Sequence, residues 1–478
     1  MSPLSISRGR PTTMSIGANF RKLFGAHVVS NLGDGISLVA YPWLASALTR
    51  NPILISAVLV TQRLPWLLFS LPIGVTVDRR NRRNLMVGSD LVRTVLTVIV
   101  GLAVLGNQAG FPSPDEIAVT AETADVSNRL VLYGALLTAT FLLGIGEVMH
   151  DTSALTVLPQ IVGRDQLAQA NGRLASAEQA ANLFVGPPLG ALLLSGAFAL
   201  PFFVDAVTFA VSALVLATLT GNFRASPEPG SSPGGAFPGR PGFIGELVEG
   251  YRALRNNALV TLFAAVTTMI NLTAGMIFAI MIIFAQEVLG AGPAQYSALT
   301  IGSAAGSVIG GATAVGLASR TGTANLLRAA ILVMALSLLG LGFTQSWIVA
   351  AALLCSYAFW LVVWVVHTTS FRQSVIANEL LGRVNGVYRF FSYGAIPVGA
   401  VVGGVVVALT ESGQARDVAL QAPFLLAGTT QLLMTMVVAP RLSRTSIDAV
   451  LSGPKEEQDG GSAGSDGRGG RTPSGPNR

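Results

Sequence analysis

Long apolar runs recur along the chain at 24–47, 53–76, 85–106, 129–150, 174–196 and 199–220, and again at 259–285, 294–318, 326–344, 347–368, 390–410 and 422–440. A helix of ~20 apolar residues crosses a hydrocarbon core of ~30 Å, so the pattern predicts twelve transmembrane helices arranged six plus six. Between the sets lies GNFRASPEPGSSPGGAFPGRPG, residues 221–242, a Pro/Gly/Ser tract too polar to fold on its own. The stretch FIGELVEGYRALRNN, 243–257, reads as an amphipathic helix lying on the membrane surface. The expected organisation is an N-terminal tail (1–23), a six-helix bundle (24–220), a linker with its amphipathic helix (221–258), a second six-helix bundle (259–440) and a disordered C-terminal tail (441–478). The fold class is all-α integral membrane, two pseudo-symmetric bundles.

Composition supports this reading. Of 478 residues, 51% are hydrophobic and 11% charged, against roughly 25% charged in soluble domains, which excludes disorder and an ordinary soluble enzyme. The single cysteine, Cys355, rules out an internal disulfide framework and a cysteine zinc site. Three histidines argue against a multi-histidine metal site. No glycine-rich loop is followed by Lys-Ser/Thr, so ATP is not expected to drive the protein, and Gly302, Gly306 and Gly310 inside an apolar run signal close helix packing. No cofactor is expected.

The net charge of +6 would suggest nucleic acid if it clustered on a soluble domain, but its distribution points to a membrane. Assigning connections alternately puts 25 of the 30 basic residues on the side with both termini and three (Arg50, Arg129, Arg416) on the other, leaving Arg63 and Arg93 inside spans. Short basic loops are retained in the cytoplasm, so a cytoplasmic-membrane protein with both termini cytoplasmic is expected. The longest outer loop carries Asp115, Glu116, Glu122 and Asp125.

The two halves repeat each other. Asp165, Leu167 and Asn171-Gly172 in the fourth connection align with Glu379, Leu381 and Asn385-Gly386 at an offset of 214. Two facing six-span bundles enclose a cavity near the midplane, the geometry of alternating access.

The second connection, Gly74-Val-Thr-Val-Asp78-Arg79-Arg80-Asn81-Arg82-Arg83, resembles the G-x-x-x-D-R-x-G-R-R signature of the major facilitator superfamily. Asn81 stands where Gly is usual, and Asn also tolerates a left-handed backbone. Gly186-Pro187-Pro188-Leu189-Gly190 is similar to the superfamily's antiporter motif, with Ala191 where a second Gly is common. Gly33-Asp34-Gly35, Leu64-Pro65, Asp90 with Arg93, Glu249-Gly250-Tyr251-Arg252 and Leu381-Gly382-Arg383-Val384 resemble the branch of enterobactin exporters and macrolide-efflux proteins. That resemblance implies export of a small organic molecule by proton antiport. The expected partners are this cargo, protons and membrane lipids, with the chain acting as a monomer and no nucleic acid bound.

Asp34 lies about ten residues into the first span, where an ionisable group costs ~2.5–3.5 kcal/mol and marks a functional candidate. Arg63, at similar depth in the second span, is its expected counter-charge; the pair either couples proton binding to transport or is a permanent structural bridge. Glu178, with Asn182 and Gly186 at successive i+4 positions, is either a second proton site or an acid facing the cytoplasmic vestibule. By resemblance, Asp78 and Arg79 latch an inner gate; Arg82 and Arg83 either join them or anchor lipid phosphate. Glu147, His150 and Asp151 at the end of span four, and Asp90 with Arg93, are expected in the same layer. Gly186, Pro187 and Gly190 read as a packing and hinge element. Asn31 and Asn182, Asn271 in span seven, and an aromatic face of Tyr357, Trp360, Trp364 and His367 in span ten are candidates to line the cargo site; the Asn271 patch otherwise bonds a neighbouring helix, and the aromatic face otherwise meets lipid.

Overall fold

A computed structural model of the chain describes residues 17–107, 110–114, 117, 129–163, 166–221, 223, 243–376 and 378–442. Most of the N-terminal tail, the acidic loop, the linker proper and the C-terminal tail lie outside these residues. Among those described, every regular element is helical: α1 (Ala18–Leu48), α2 (Pro52–Arg79), α3 (Arg82–Gly106), α4 (Arg129–Ile161), α5 (Leu167–Gln179), a π turn (Ala180–Val185), α6 (Gly186–Gly196), α7 (Leu200–Ala217), α8 (Phe243–Arg255), α9 (Ala258–Glu287), α10 (Pro293–Thr321), α11 (Thr323–Phe343), α12 (Trp347–Val375), α13 (Asn378–Glu411), α14 (Arg416–Val438) and a closing 3-10 turn (Ala439–Arg441).

Among the described residues eleven helices are long and apolar enough to cross a membrane. The expected fifth span is an interrupted element instead, α5, π turn and α6. The interruption has a sequence cause. Pro187 and Pro188 carry no N–H, which frees carbonyls one turn earlier, and the ladder re-registers so that the Gly186 N–H bonds the Ala181 carbonyl, five residues back. Asparagines fix where three helices start: Asn51 accepts from the Ile53 and Leu54 N–H groups, Asn81 from Arg83 and Asn84, and Asn257 from Leu259 and Val260. Asn81 therefore does not stand in for a left-handed glycine; its backbone is extended, φ −71° and ψ 113°, and its side chain caps α3.

The halves repeat each other in packing. In the first, α1 packs on α6 and α7, α2 on α4, and α3 on both α4 and α7; in the second, α9 packs on α13 and α14, α10 on α12, and α11 on both α12 and α14. The halves meet chiefly where α2 lies against α13 and α6 against α10. Within the second half small residues set the spacing of α10 and α12: a Cβ on Gly306 would lie 2.0 Å from the Cys355 carbonyl, and one on Gly310 2.5 Å from that of Phe359. The outward faces are apolar, with Leu130, Val207, Leu214, Val315 and Leu409 exposed, as expected of helices solvated by lipid rather than water.

Successive spans alternate in direction, so the bundle has two chemically distinct ends. At the basic end Lys22 donates to the Thr218 carbonyl (2.7 Å), Arg83 to that of Leu219 (2.9 Å) and Arg328 to that of Ala439 (2.8 Å). The distal end holds the α1–α2 turn, where the Tyr133 hydroxyl donates to the Leu54 carbonyl at 2.6 Å.

Candidate functional site

A cavity of about 360 Å3 lies in the first half, walled by α1, α2, α3, α4, α5, the π turn and α7. It runs from Ser37 and Tyr41 near mid-depth to Asp151, Glu178 and Gln179 toward the basic end. Five carboxyl groups (Asp34, Glu147, Asp151, Glu178, Asp205) and two guanidinium groups (Arg63, Arg93) line it, so the wall is predominantly acidic.

Arg93 organises the centre. Its guanidinium is ion-paired with Asp34, lies 3.6 Å from Asp90 Oδ1, donates to Ser30 Oγ at 3.3 Å and stacks 3.8 Å from the Phe209 ring centroid. Asp34 is the more accessible acid, its side chain 30% exposed, whereas Asp90 is fully buried. Asp90 accepts from Ser212 Oγ at 2.6 Å, and its other oxygen faces His150 Nδ1 at 2.9 Å without a hydrogen-bonding angle. One guanidinium thus serves two carboxylates, one facing the cavity and one sealed behind it.

The glycines of Gly33-Asp34-Gly35 follow from this packing. A Cβ on Gly33 would lie 2.0 Å from Thr208 Oγ1 and 2.3 Å from Asp205 Oδ1, and one on Gly35 would lie 2.6 Å from the Ala181 carbonyl. Only hydrogen lets α7 and the π turn close on α1 beside Asp34. Asp205 is held by Ser37 Oγ at 2.6 Å. Asn182 Nδ2 donates to Asn31 Oδ1 at 2.9 Å, and Asn31 in turn donates to the His27 carbonyl. Glu178 faces His27 Nε2 at 3.8 Å, and the Trp66 indole donates to Glu147 at 3.4 Å.

Two sequence expectations are corrected here. Arg63 is not the counter-charge of Asp34. It is exposed on α2 at the cavity wall, while Arg93 reaches Asp34 from α3 because Gly146 leaves room: a Cβ there would stand 2.8 Å from Arg93 Cγ. Sequence depth locates a residue along the membrane normal and says nothing about which way its helix face points. Second, Asp90, Arg93, Glu147 and Asp151 do not share a layer with the basic turn. Asp90 lies eight residues beyond Arg82, about 12 Å up the axis of α3 at 1.5 Å per residue, and all four belong to the cavity or the cluster behind it. In the turn itself, Arg82 donates to the Thr156 carbonyl at 3.3 Å and Arg83 to that of Leu219, while Arg79 is exposed; the Asp78 side chain lies outside the described residues. Asn271, Tyr357 and Trp360, candidates for the cargo site, lie outside this cavity. Asn271 donates to the Ser392 carbonyl at 2.9 Å, Tyr357 is buried, and Trp360 packs on Phe359 with ring centroids 5.2 Å apart. The aromatic face meets neighbouring helices, with fully buried Trp364 donating to Thr267 Oγ1 at 3.0 Å.

The Gly-Pro-Pro-Leu-Gly segment links three parts of the molecule. A Cβ on Gly186 would lie 2.4 Å from Gly35 Cα, and one on Gly190 2.7 Å from the Ile36 carbonyl, so α6 packs directly on the Asp34 helix. The Pro187 carbonyl accepts from Ser297 Oγ of the opposite half at 2.9 Å. The π turn immediately before it carries Asn182 into the cavity.

The distal end is clamped across the halves. Glu287 of α9 is ion-paired with Arg50 and with Arg416, the latter at 2.5 Å; Arg416 also binds Glu411 at 2.6 Å and donates to the Arg50 carbonyl at 2.9 Å. Gln286 accepts from Arg50 at 2.6 Å and donates to Ser46 Oγ at 3.0 Å, and the Trp43 and Tyr296 rings meet edge-on at 5.5 Å. With this end tied shut and the acidic cavity reaching toward the basic end, the arrangement is closed distally.

Sequence reasoning missed Asp205 and the distal clamp. Asp205 was visible as a lone acid in an 18-residue span of mean hydropathy 2.1. Arg50 and Arg416 stood out only as rare basic residues on their side, and nothing in their spacing connects them to Glu287, 237 and 129 residues away.

Two helical halves related by repeated packing, with buried ionisable groups around a mid-depth cavity, define a membrane transporter rather than an enzyme. The chain matches the Major Facilitator Superfamily over residues 23–400 and belongs to that family. It is 25% identical over 390 residues to macrolide efflux protein A of Streptococcus pyogenes, covering 80% of this chain and 88% of the relative. It is 26% identical over 400 residues to the multidrug efflux pump Tap of Mycobacterium tuberculosis, covering 81% and 86%. Solved structures of the same fold include the nucleoside transporter NupG (TM-score 0.63, 12% identity, 89% of this chain and 99% of that one). A bacterial homologue of the iron transporter ferroportin in an inward-facing state is similarly related (TM-score 0.64, 13% identity, 88% and 100%).

Proposed function

We propose that this chain exports a small cationic organic molecule across the cytoplasmic membrane in exchange for protons, by alternating access, with both termini in the cytoplasm. The observation that carries the reading is the sharing of Arg93 between Asp34, which faces the cavity, and Asp90, which does not. A proton arriving on Asp34 cancels its charge and leaves Arg93 with Asp90; loss of that proton restores the Asp34–Arg93 pair. Cationic cargo and proton then compete for the same acidic wall, which makes their movements opposite. The orientation rests on the concentration of basic residues at the end with the termini, and places the cavity mouth at the cytoplasm. The two efflux-named relatives support outward transport of organic cargo. In this scheme Asp78, Arg79, Arg82 and Arg83 close the cytoplasmic end, and Gly186, Pro187 and Gly190 form the hinge that transmits movement from α1 to the other half.

The test uses everted membrane vesicles with an imposed acid-inside gradient, recording lumenal pH while cationic dyes, macrolides and catecholate siderophores are added. Cargo-triggered loss of lumenal protons that disappears in Asp34→Asn is the expected result. Flux of cargo that ignores the gradient, in folded protein, refutes antiport and turns the reading to a facilitator.

A further inference from the structure

Behind the cavity wall, buried His150 of α4 has no part in the cycle described above. Its Nδ1 lies 2.9 Å from a single atom, Asp90 Oδ1. The same oxygen is the one that Arg93 approaches, at 3.6 Å, while the Arg93 guanidinium is committed to Asp34. The other oxygen, Oδ2, is taken by Ser212 Oγ at 2.6 Å. Neither His150 nor Arg93 satisfies Oδ1 as a hydrogen-bond acceptor. A fully buried carboxylate therefore presents one open oxygen to an imidazole and a guanidinium at once.

A sealed ionic cluster is costly unless its charges cancel. With Asp34 ionised and Arg93 on it, Asp90 is balanced by an imidazolium at His150. With Asp34 protonated, Arg93 is free to close on Asp90, and balance then requires a neutral imidazole. Among the described residues, the other charged or titratable groups facing His150 or its helix are Glu147 and Asp151 on α4, His27 on α1, Arg63 on α2, Arg82 on α3 and Glu178 on α5. They are the same in both states, so the difference between the states turns on the one contested oxygen.

We propose that His150 is a positioning residue of the antiport cycle: it alternates with Arg93 on Asp90 Oδ1, so that a protonated His150 holds Arg93 out toward Asp34 and a neutral one yields Asp90 to Arg93. This role rests on the antiport reading above and supplies the step that returns Arg93 to Asp34. As Asp34 gains a proton from the cavity, His150 gives one up, and the reverse step restores both. His27 and Glu178 face each other at 3.8 Å, and the Glu178 side chain is 44% exposed; through them the His150 proton leaves and returns on the cytoplasmic side. The net movement per cycle remains the proton that Asp34 carries inward.

The test follows, against pH, the protonated-carboxyl infrared absorption of the purified full chain that is lost in Asp34→Asn. In His150→Gln the Asp34-ionised state carries an uncompensated Asp90, so the protonated state is expected to persist to higher pH by about one unit. In His150→Lys the cation is fixed, Arg93 stays on Asp34, and the midpoint is expected to move about one unit to lower pH. The shift in His150→Gln is expected to vanish in an Asp90→Asn background, where no carboxylate is contested. Shifts in the same direction, no shift in folded protein, or a His150→Gln shift that survives Asp90→Asn overturns the proposal. If His150→Lys does not fold, the His150→Gln shift and its loss in Asp90→Asn decide alone. Cargo flux that ignores the gradient in vesicles refutes antiport without altering this infrared ordering, so the two failures are distinguishable.

Discussion

The distal clamp offers the sharpest test of how the halves move, and Glu287→Gln is the perturbation that isolates it. Glu287 is the carboxylate shared by Arg50, whose side chain is 5% exposed, and Arg416, which is 30% exposed. Removing one member of a buried pair costs 3–5 kcal/mol when the remaining charge is stranded. Here Gln286 still accepts from Arg50 and Glu411 still holds Arg416, so the loss to the distally closed state falls below that range, at about 2 kcal/mol, as for a buried group left short of one partner. In the distally open state these groups separate and reach water, so the loss falls almost wholly on the closed side and shifts the equilibrium about 30-fold, at tenfold per 1.4 kcal/mol. A distally open population of about 1% would then rise to about a quarter. Spin labels read this directly in a Cys355→Ser background. Gly106 at the end of α3 accepts a side chain with nothing within 4 Å, and exposed Ser346 precedes α12 at the same end of the other half. Pulsed electron-spin measurements on Gly106→Cys/Ser346→Cys are expected to show a longer distance component growing when Glu287→Gln is added. An unchanged distribution in protein that unfolds at its normal temperature would show that the ion network does not hold the halves together.

Other substitutions probe the centre. Arg93→Gln strands two carboxylates, one fully buried, and is expected to lower thermal stability by about 3–5 kcal/mol, whereas Arg63→Gln, which removes an exposed side chain, should move the unfolding midpoint little; equal losses would restore Arg63 as the structural partner of Asp34. Gly186→Val drives a branched side chain into Gly35 of α1 and should abolish transport together with normal folding, while Gly172→Ala, with open space at its Cβ, should leave transport rates intact. Ser37→Ala removes the hydroxyl donor to buried Asp205, costing about 1–3 kcal/mol; Ser37→Thr should recover most of it in the same melting assay.

Much of the fold was legible from the chain because the membrane imposes a one-dimensional rule. A helix must be apolar for the thickness of the bilayer, and an apolar run of that length has few other uses. One span, 174–196, stays helical but shifts register through a π turn just before Pro187 and Pro188, a local signal present in the sequence but not in its hydropathy. The capping roles of Asn51, Asn81 and Asn257 came from the structure: Asn81 in particular reads from the chain as a stand-in for glycine, and only its extended backbone and its bonds to Arg83 and Asn84 show the cap.

The candidate site divides along the same line. Asp34, Asp90, Arg93, Glu147, Asp151 and Glu178 were recognisable as ionisable residues in or near apolar spans, since charge in hydrocarbon is too costly to be incidental. Their partners were not recognisable. Hydropathy fixes depth along the membrane normal, and pairing depends on rotation about each helix axis, which is set by side-chain packing between helices distant in the chain: Gly146 making space for Arg93, Gly33 for Asp205, Gly35 for Gly186. For the same reason spacing left open whether the polar patch at Asn271 and the aromatic row of α12 meet cargo or their surroundings; in the structure Asn271 bonds the Ser392 carbonyl and Trp364 bonds Thr267. The sequence alone determined a helical membrane transporter built from two repeated halves, because burial in lipid constrains composition directly. Only the tertiary structure decided that Arg93 serves Asp34 and that Glu287 ties two arginines from opposite ends of the chain, because those contacts depend on orientation and proximity in three dimensions.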